Sequence, residues 1–597
     1  MTMSTIHRED EVLGKAYDGR LMRRLLRYVR SYTGAVVGSI LLLLAVSGLQ
    51  ILQPYVLKIA VDEHLGKGLL EGLAGIALIY LALLVAESVA HFIQRYVMQR
   101  TGQQIMFDLR TTVFRRFGRL PLSHFDRNPV GRLMTRVTTD VENLNEMFTQ
   151  GLVAVFGDIV SAVGIVIAML LLDFRLSLVT FAILPVVLVV AQVFRTHARE
   201  AYRLVRTKLA VINAFLQESI SGMRIIQLFS HEERSNRAFE RINREYRGAS
   251  LRTMLYFSLF YPGVELIAAI ALALILWYGG GQVVQGALSL GTLIAFILYA
   301  ERFFAPIRDL SEKYNIMQAA MASSERIFEL LDTPEEAGVR QTGGRRVERL
   351  RGALEFRHVN FSYTRGDEVL KDVSFLIAPG EKVALVGATG AGKSTIAGLV
   401  NRLYEPTGGQ ILLDGVDVRE YELSSLRRRI GLVLQEPFLF SGSVEENISL
   451  GKAEIEEEQI EWAVRLTGAD HFVERLPARY KEAVRERGVA LSVGERQLLS
   501  FARVLAYDPD ILILDEATSS VDAESEAAIQ RAIASVTEGR TCLIIAHRLS
   551  TIRGADRILV LHHGELCEEG THASLIQQRG IYARLYELQF NGRQPCR

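Results

Sequence analysis

Eight consecutive residues, Gly387-Ala388-Thr389-Gly390-Ala391-Gly392-Lys393-Ser394, follow an apolar run at 383–386 and lead through Thr395 into a segment of helical pattern. Glycines at this spacing let backbone N–H groups wrap a phosphate chain. A lysine in the seventh place reaches the outer phosphates, and a hydroxyl in the eighth ligates Mg²⁺. The chemistry this set can do is to hold a nucleoside triphosphate with its metal. A second apolar run, 511–514, ends in Asp515-Glu516. A carboxylate at the carboxyl end of a strand can hold the Mg²⁺ shell, and the next one is placed to polarise an attacking water. Two acids at a strand end are by themselves an ordinary solvated cap; the phosphate loop upstream gives them a chemical reading.

The element that must position these residues is an α/β layer. From residue 354 onward, short β-branched runs alternate with amphipathic segments, the pattern of a largely parallel sheet with helices on its faces. The first half of the chain differs in kind. Apolar runs near 34–61, 72–95, 151–172, 176–195, 256–278 and 288–308 are each long enough to cross about 30 Å of hydrocarbon, which takes roughly 20 helical residues. Hydrophobic residues make up 49% of the 597, which fits a membrane part joined to a soluble part. Leu172-Asp173-Phe174-Arg175-Leu176 predicts a tight turn between spans three and four.

Connections alternate between short, after spans one, three and five, and long, after spans two and four. The long ones and the N-terminal segment carry Arg20, Arg23, Arg24, Arg27, Arg30, Arg110, Arg115, Arg116, Arg195 and Arg199, so they and both termini face the cytoplasm. Apolar residues at helical spacing in 99–120 and 196–215 predict that spans two to five continue into the cytoplasm as helices. Pro121, Asn128-Pro129-Val130-Gly131 and Ser221-Gly222 mark the tips where those helices turn over.

The expected layout is an N-terminal segment at 1–32 with an interfacial helix at 21–30, a transmembrane domain at 33–332, a polar linker at 333–352, a nucleotide-binding domain at 353–590 and a tail at 591–597. Lys and Arg number 68 against 67 Asp and Glu, so no electrostatic pull toward nucleic acid is expected. Cys542, Cys567 and Cys596 lack the close pairs of a zinc or redox motif. The polar N-terminus carries no apolar core of a cleaved signal peptide.

Leu491-Ser492-Val493-Gly494-Glu495-Arg496-Gln497 lies between the phosphate loop and Asp515. With it, the whole chain resembles an ABC exporter half-transporter of the bacterial multidrug and lipid-flippase group, whose signature is LSGGQ. The resemblance implies a multidomain fold: an all-α six-helix transmembrane domain with long cytoplasmic helix extensions, followed by an α/β P-loop nucleotide-binding domain. It also implies roles. Tyr363 stacks on adenine. Gly387, Thr389, Gly390, Gly392, Lys393, Ser394, Thr395 and Asp522 belong to the ATP site. Ser394, Gln435 and Asp515 hold Mg²⁺. Gln435 senses the metal and the attacking water, Glu516 is the catalytic acid residue, and His547 contacts the γ-phosphate and holds Glu516.

In the family, Ser492 and Gly494 would bind the γ-phosphate held by a different ATPase domain. One chain has one P-loop and one signature, so two chains would sandwich two ATP. The implied activity is an ATPase coupled to alternating access, a translocase of the bacterial inner membrane, multi-pass, that moves amphipathic compounds, drugs or lipids, outward. A dedicated lipid flippase is the alternative; an ABC-type channel or regulator is less favoured because Glu516 is present. Val493 and Glu495 depart from the signature while the P-loop side is intact, which favours a different partner chain slightly over self-pairing. The tips near 123–130 and 213–223 are expected to press on the ATPase domain near 435–440. Helical rise places Glu87, Asp158, Glu265, Glu301 and Arg302 between the inner leaflet and the midplane. An acid-rich vestibule there favours amphipathic or cationic substrates. The competing reading pairs Arg302 with Glu265 or Glu301, or has the helix ends elsewhere, so that these groups lie in cytoplasmic water.

Overall fold

The computed structural model describes residues 18–588 except 69–70, 337–343, 365, 453, 516–522 and 547; the side chains of 152, 188, 304–312, 486, 523–525 and 550 are likewise outside the description. The chain forms two compact units, Met1–Phe117 with Gly131–Asp332, and Gly118–Val130 with Thr333–Arg597.

The first unit is helical. Helix Gly19–Val29 starts at Asp18, whose side chain accepts from the Arg20 and Leu21 amides, and buries Met22, Leu25 and Val29 opposite its arginines. Five helical runs, Gly19–Leu65, Leu73–Phe117, Val130–Leu172, Phe174–Ser221 and Glu232–Val284, are long and apolar enough to span a bilayer among the described residues. The sixth expected span falls on the helix Leu290–Asp332. Helix Leu73–Phe117 has 45 residues. At 1.5 Å per residue that is roughly 68 Å, more than twice the hydrocarbon thickness, so these helices continue into water. The turn predicted at 172–176 is a helix start: Asp173 accepts from the Leu176 amide at 2.7 Å. Pro54 lies inside helix Thr33–Ile59, where it supplies no N–H to the carbonyl of Gln50.

Asp140 is 3% exposed. It is held by Arg326, by Arg136 at 3.1 Å and by the Ser323 hydroxyl at 2.9 Å, an ion cluster that joins helices Thr139–Glu146 and Leu290–Asp332.

Among its described residues the second unit holds twelve strands: β1 Leu354–Ser362, β2 Glu368–Ile377, β3 Lys382–Gly387, β4 Gly408–Leu413, β5 Val416–Asp417, β6 Ile430–Val433, β7 Gly442–Ser443, β8 Ala483–Val484, β9 Ile511–Asp515, β10 Thr541–Ile545, β11 Arg557–His562 and β12 Glu565–Gly570. The main sheet has the order β12-β11-β3-β10-β9-β6. Its neighbours from β11 to β6 are parallel and β12 is antiparallel. A second, antiparallel sheet runs β2-β1-β4-β5. The main sheet is buried on both faces. Val383, Ala384, Leu385, Ile511, Leu512, Ile513, Ile544 and Ile545 are all at most 4% exposed, which is why these strands read as continuous apolar runs.

Residues 118–130, which connect two membrane helices along the chain, group by their contacts with this second unit. The short helix Leu122–Arg127 is held there by side-chain bonds: Tyr404 donates its hydroxyl to Asp126 at 2.6 Å, and Arg127 donates to the Tyr363 carbonyl at 2.9 Å.

Candidate nucleotide site

Strand register puts the phosphate loop and the acidic strand end side by side. Leu385 of β3 pairs with Ile545 of β10, and Ile545 pairs with Asp515 of β9. One strand therefore separates Asp515 from the end of β3, roughly 10 Å at two strand spacings. Between β3 and the helix Lys393–Val400, Gly390 and Gly392 adopt φ of 84° and 101°, a backbone region glycine enters without steric cost. A Cβ built on Gly392 would stand 2.6 Å from Leu370 Cδ2.

Lys393 is 6% exposed, and its ammonium donates to the carbonyls of Gly387 at 2.8 Å and Ala388 at 3.0 Å. Burial pushes its pKa below the ordinary lysine value, and the Asp515 carboxylate opposes that shift. Ser394 is exposed and donates its hydroxyl to Asp515 Oδ2 at 2.9 Å, while Asp515 is 8% exposed. A hydroxyl and a carboxylate in contact are the oxygen donor set that suits a hard divalent cation, so these residues fit Mg²⁺.

Tyr363 keeps 41% of its surface exposed, and its hydroxyl lies 3.0 Å from the Thr395 hydroxyl. Its ring meets Phe361 and Tyr404 edge to face, with centroids 4.8 and 5.1 Å apart. Burial, then the bond to Asp126, raises the Tyr404 phenol above its ordinary pKa. The trio Tyr404, Asp126 and Arg127 ties the tip helix to the aromatic residue beside the loop, and no local motif announces it. The described bonds of this tip fall at Tyr363 and Tyr404, contacts that the expectation of 435–440 did not include.

Gln435 is exposed, two residues beyond β6. Val433 of β6 pairs with Leu514 of β9, so Gln435 leaves the sheet at the same edge as Asp515. Glu516, Asp522 and His547 lie outside the described residues.

Ser492 caps the helix Val493–Ala506. Its oxygen accepts from the Glu495 amide at 3.2 Å, and the Glu495 carboxylate accepts from the Ser492 amide at 2.7 Å. This reciprocal cap gives the departure at 495 a local reason, because a glutamate three residues after a serine satisfies two orphan amides of the helix start. The serine oxygen is used as an acceptor, which leaves its O–H free to donate to a phosphate. Arg496 holds the preceding turn by donating to the Leu491 carbonyl at 2.7 Å. Gly494 is buried and Val493 is 39% exposed.

In the membrane unit the predicted acids separate into two groups. Glu87 accepts from Gln50 at 2.8 Å and from Gln53 at 2.5 Å, and Asp158 is paired with Lys313. Among the described bonds, those of Arg302 go to neither Glu265 nor Glu301. It donates to Gln53 Oε1 at 2.5 Å and to the Gln50 carbonyl, the one Pro54 leaves without a helical donor. Glu265 and Glu301 are exposed.

Comparison with known proteins gives two family models along the chain. One, the ABC transporter transmembrane region, matches residues 36–307; the other, ABC transporter, matches 370–519. A Bacillus subtilis protein described as a probable multidrug resistance ABC transporter ATP-binding/permease protein, YheH, is 39% identical over 527 residues, 87% of this chain and 77% of that one. An ATP-dependent lipid A-core flippase of Syntrophus aciditrophicus is 34% identical over 570 residues, 96% of this chain and 94% of that one. The solved structure of a bacterial Atm1-family ABC exporter with ATP bound superposes with a TM-score of 0.78 at 27% identity, covering 97% of this chain and all of that one.

Proposed function

Because the chain belongs to the ABC transporter family and joins an exporter-type membrane unit to an ATPase unit in one polypeptide, we propose that it is half of an ATP-driven exporter. It moves amphipathic compounds, drugs or lipids, from the cytoplasm or inner leaflet outward. The observation that carries this reading is the Ser394–Asp515 contact at 2.9 Å with Lys393 in the same loop. It brings the metal donors and the phosphate-binding cation together at one end of the sheet.

In this reading Lys393 exchanges its loop carbonyls for phosphate oxygens, and Ser394 and Asp515, with Gln435, hold Mg²⁺. Mg²⁺ supplies charge neutralisation at the transferring phosphoryl group. Tyr363 carries the adenine, with Gly387, Thr389, Gly390, Gly392 and Thr395 shaping the loop around the phosphates. Glu516 takes the proton of the attacking water, His547 contacts the γ-phosphate and holds Glu516, and Asp522 contributes to the ATP site. Ser492 and Gly494 close on the γ-phosphate held by a second chain. Driving a two-state equilibrium from one side to the other takes about 5.5 kcal/mol of differential affinity, which two sandwiched ATP share.

The tip helix Met223–Leu228 supports the pairing: Ile225, Leu228 and the neighbouring Phe229 are exposed apolar groups on an otherwise cytoplasmic segment. They suit the exposed Leu434, Phe438 and Phe440 of a second chain. The intact P-loop beside an altered signature favours a different half-transporter over a second copy. Both termini lie on the cytoplasmic side of the bacterial inner membrane, as the arginine distribution requires. With Glu87 and Asp158 bound to neighbours, Glu265 and Glu301 are the acids left to meet a cationic substrate group.

ATPase activity of the chain purified alone in lipid nanodiscs, beside Glu516→Gln, tests the reading. Turnover abolished by the substitution means a self-sufficient pair. Turnover that appears only with a second half-transporter means a mixed pair. Turnover that survives Glu516→Gln overturns the assignment.

A further inference from the structure

Arg503 lies in the last turn of the helix Val493–Ala506 that Ser492 caps, and it reaches out of that helix to another segment. Its Nη1 donates to the Phe438 carbonyl at 2.9 Å, its Nε to the Asn447 carbonyl at 2.7 Å and its Nη2 to Asn447 Oδ1 at 3.2 Å. Burial lowers its pKa below the ordinary arginine value. Asn447, 2% exposed, extends the arrangement: its Oδ1 accepts from the Phe440 amide at 2.8 Å, and its amide nitrogen donates to the Phe440 carbonyl at 2.9 Å and to the Ser443 carbonyl at 3.0 Å.

The loop held this way is an unusual one. Leu439 is fully buried, while Phe438 and Phe440 on either side are 47% and 57% exposed with their rings edge to face at 5.1 Å. Its backbone is therefore fixed to the signature helix, and its aromatic side chains are presented to solvent. Gln435, at the other end of the same loop, follows β6 of the phosphate-binding sheet. A guanidinium among neutral carbonyls gives up hydration, and only a fork of several donors aimed at two separate segments offsets that loss. A packing role alone would be met by an apolar side chain.

We propose that Arg503 is a positioning residue which, with Asn447, makes the exposed Phe438/Phe440 loop and the Ser492 signature turn move as one body. Eleven residues of helix separate Ser492 from Arg503, a rigid arm of about 16 Å. Displacement of Ser492 toward a nucleotide is delivered at the aromatic pair, not at Gln435. The proposal rests on the reading above that ATP closure between two chains drives the membrane unit.

The test uses the full chain in nanodiscs, with its partner if one is required, carrying Glu516→Gln together with C567S and C596S. Probes at K67C and V284C sit on connections after spans one and five, and retained [³²P]ATP is counted on the same samples. The parent is expected to retain ATP and to change its 67-to-284 distance when MgATP is added. Arg503→Lys keeps the charge but loses the fork. It is expected to retain ATP within about twofold of the parent while the shifted population falls at least fivefold, with its melting temperature recorded alongside. Asn447→Ala, which cuts the same link from the other side, is expected to do likewise and serves if Arg503→Lys does not fold. A distance change that survives in proportion to the ATP retained, in whichever variant folds, overturns the proposal and leaves the exporter reading standing. A parent that shows neither ATP retention nor a distance change overturns both.

Discussion

Replacing Ser394 by alanine removes the hydroxyl that donates to Asp515 at 2.9 Å. The effect in the nucleotide-free protein can be worked from the geometry. A hydrogen bond to a charged group contributes about 1.5–3 kcal/mol. Asp515 is 8% exposed, so little water can replace the lost donor from the carboxylate side, whereas Ser394 is itself exposed. The lower half of that range, about 1.5–2 kcal/mol, is expected. For a unit of this size it lowers the melting temperature by roughly 3–8 °C. The assay is thermal unfolding in EDTA, without nucleotide, of wild type, Ser394→Ala, Asp515→Asn and the double variant. If the pair is coupled, the double variant loses less than the sum of the singles by about 1 kcal/mol or more. Additivity within about 0.3–0.5 kcal/mol would refute the contact, and with it the argument that the metal donors are already assembled.

Lys393 has its pKa lowered by burial, and phosphate oxygens in contact would raise it again. A group protonated more tightly in the complex contributes affinity that is full below its free pKa and lost as pH rises through it. The ATP dissociation constant should therefore weaken as pH climbs from 7 toward the ordinary lysine range, and Lys393→Ala should be flat over the same titration. Gly392→Ala places a methyl 2.6 Å from fully buried Leu370 at a φ of 101°; the strain is about 1–3 kcal/mol, and fluorescent-nucleotide binding should fall with the ATPase rate. Tyr404→Phe removes the bond to the Asp126 carboxylate and should speed amide exchange in 122–127 by about ten- to a hundredfold, the equivalent of a hydrogen bond to a charged group, with the basal ATPase rate retained.

The division of labour between sequence and structure follows from distance along the chain. The phosphate loop was legible because its donors are contiguous, and the strand ending in Asp515 because burial on both faces imposes an unbroken apolar run. The membrane helices were legible because hydrocarbon demands length. What could not be read is what joins segments far apart. Tyr404 and Asp126 are 278 residues apart, and neither residue type signals a partner. A charge inside a span suggests an acid as its partner, yet Arg302 is held by a carbonyl freed by Pro54 and by the side-chain amide oxygen of Gln53. Proline's missing N–H is visible in sequence, but which helix supplies the replacement donor is a matter of packing. Glu495 read as a departure from a signature, and its cap on Ser492 is a local rule that a serine followed three residues later by glutamate could have announced.

The central claim is that ATP hydrolysis by this chain moves an amphiphile across a bilayer. The direct measurement is transbilayer movement of fluorescent amphiphiles, a cationic dye and a headgroup-labelled phospholipid, in proteoliposomes holding the chain, with its partner if one is required, and MgATP on the ATPase side. At least one of them should move only with ATP and not with Lys393→Ala. Movement equal with and without ATP, or undiminished in Lys393→Ala, would contradict the account.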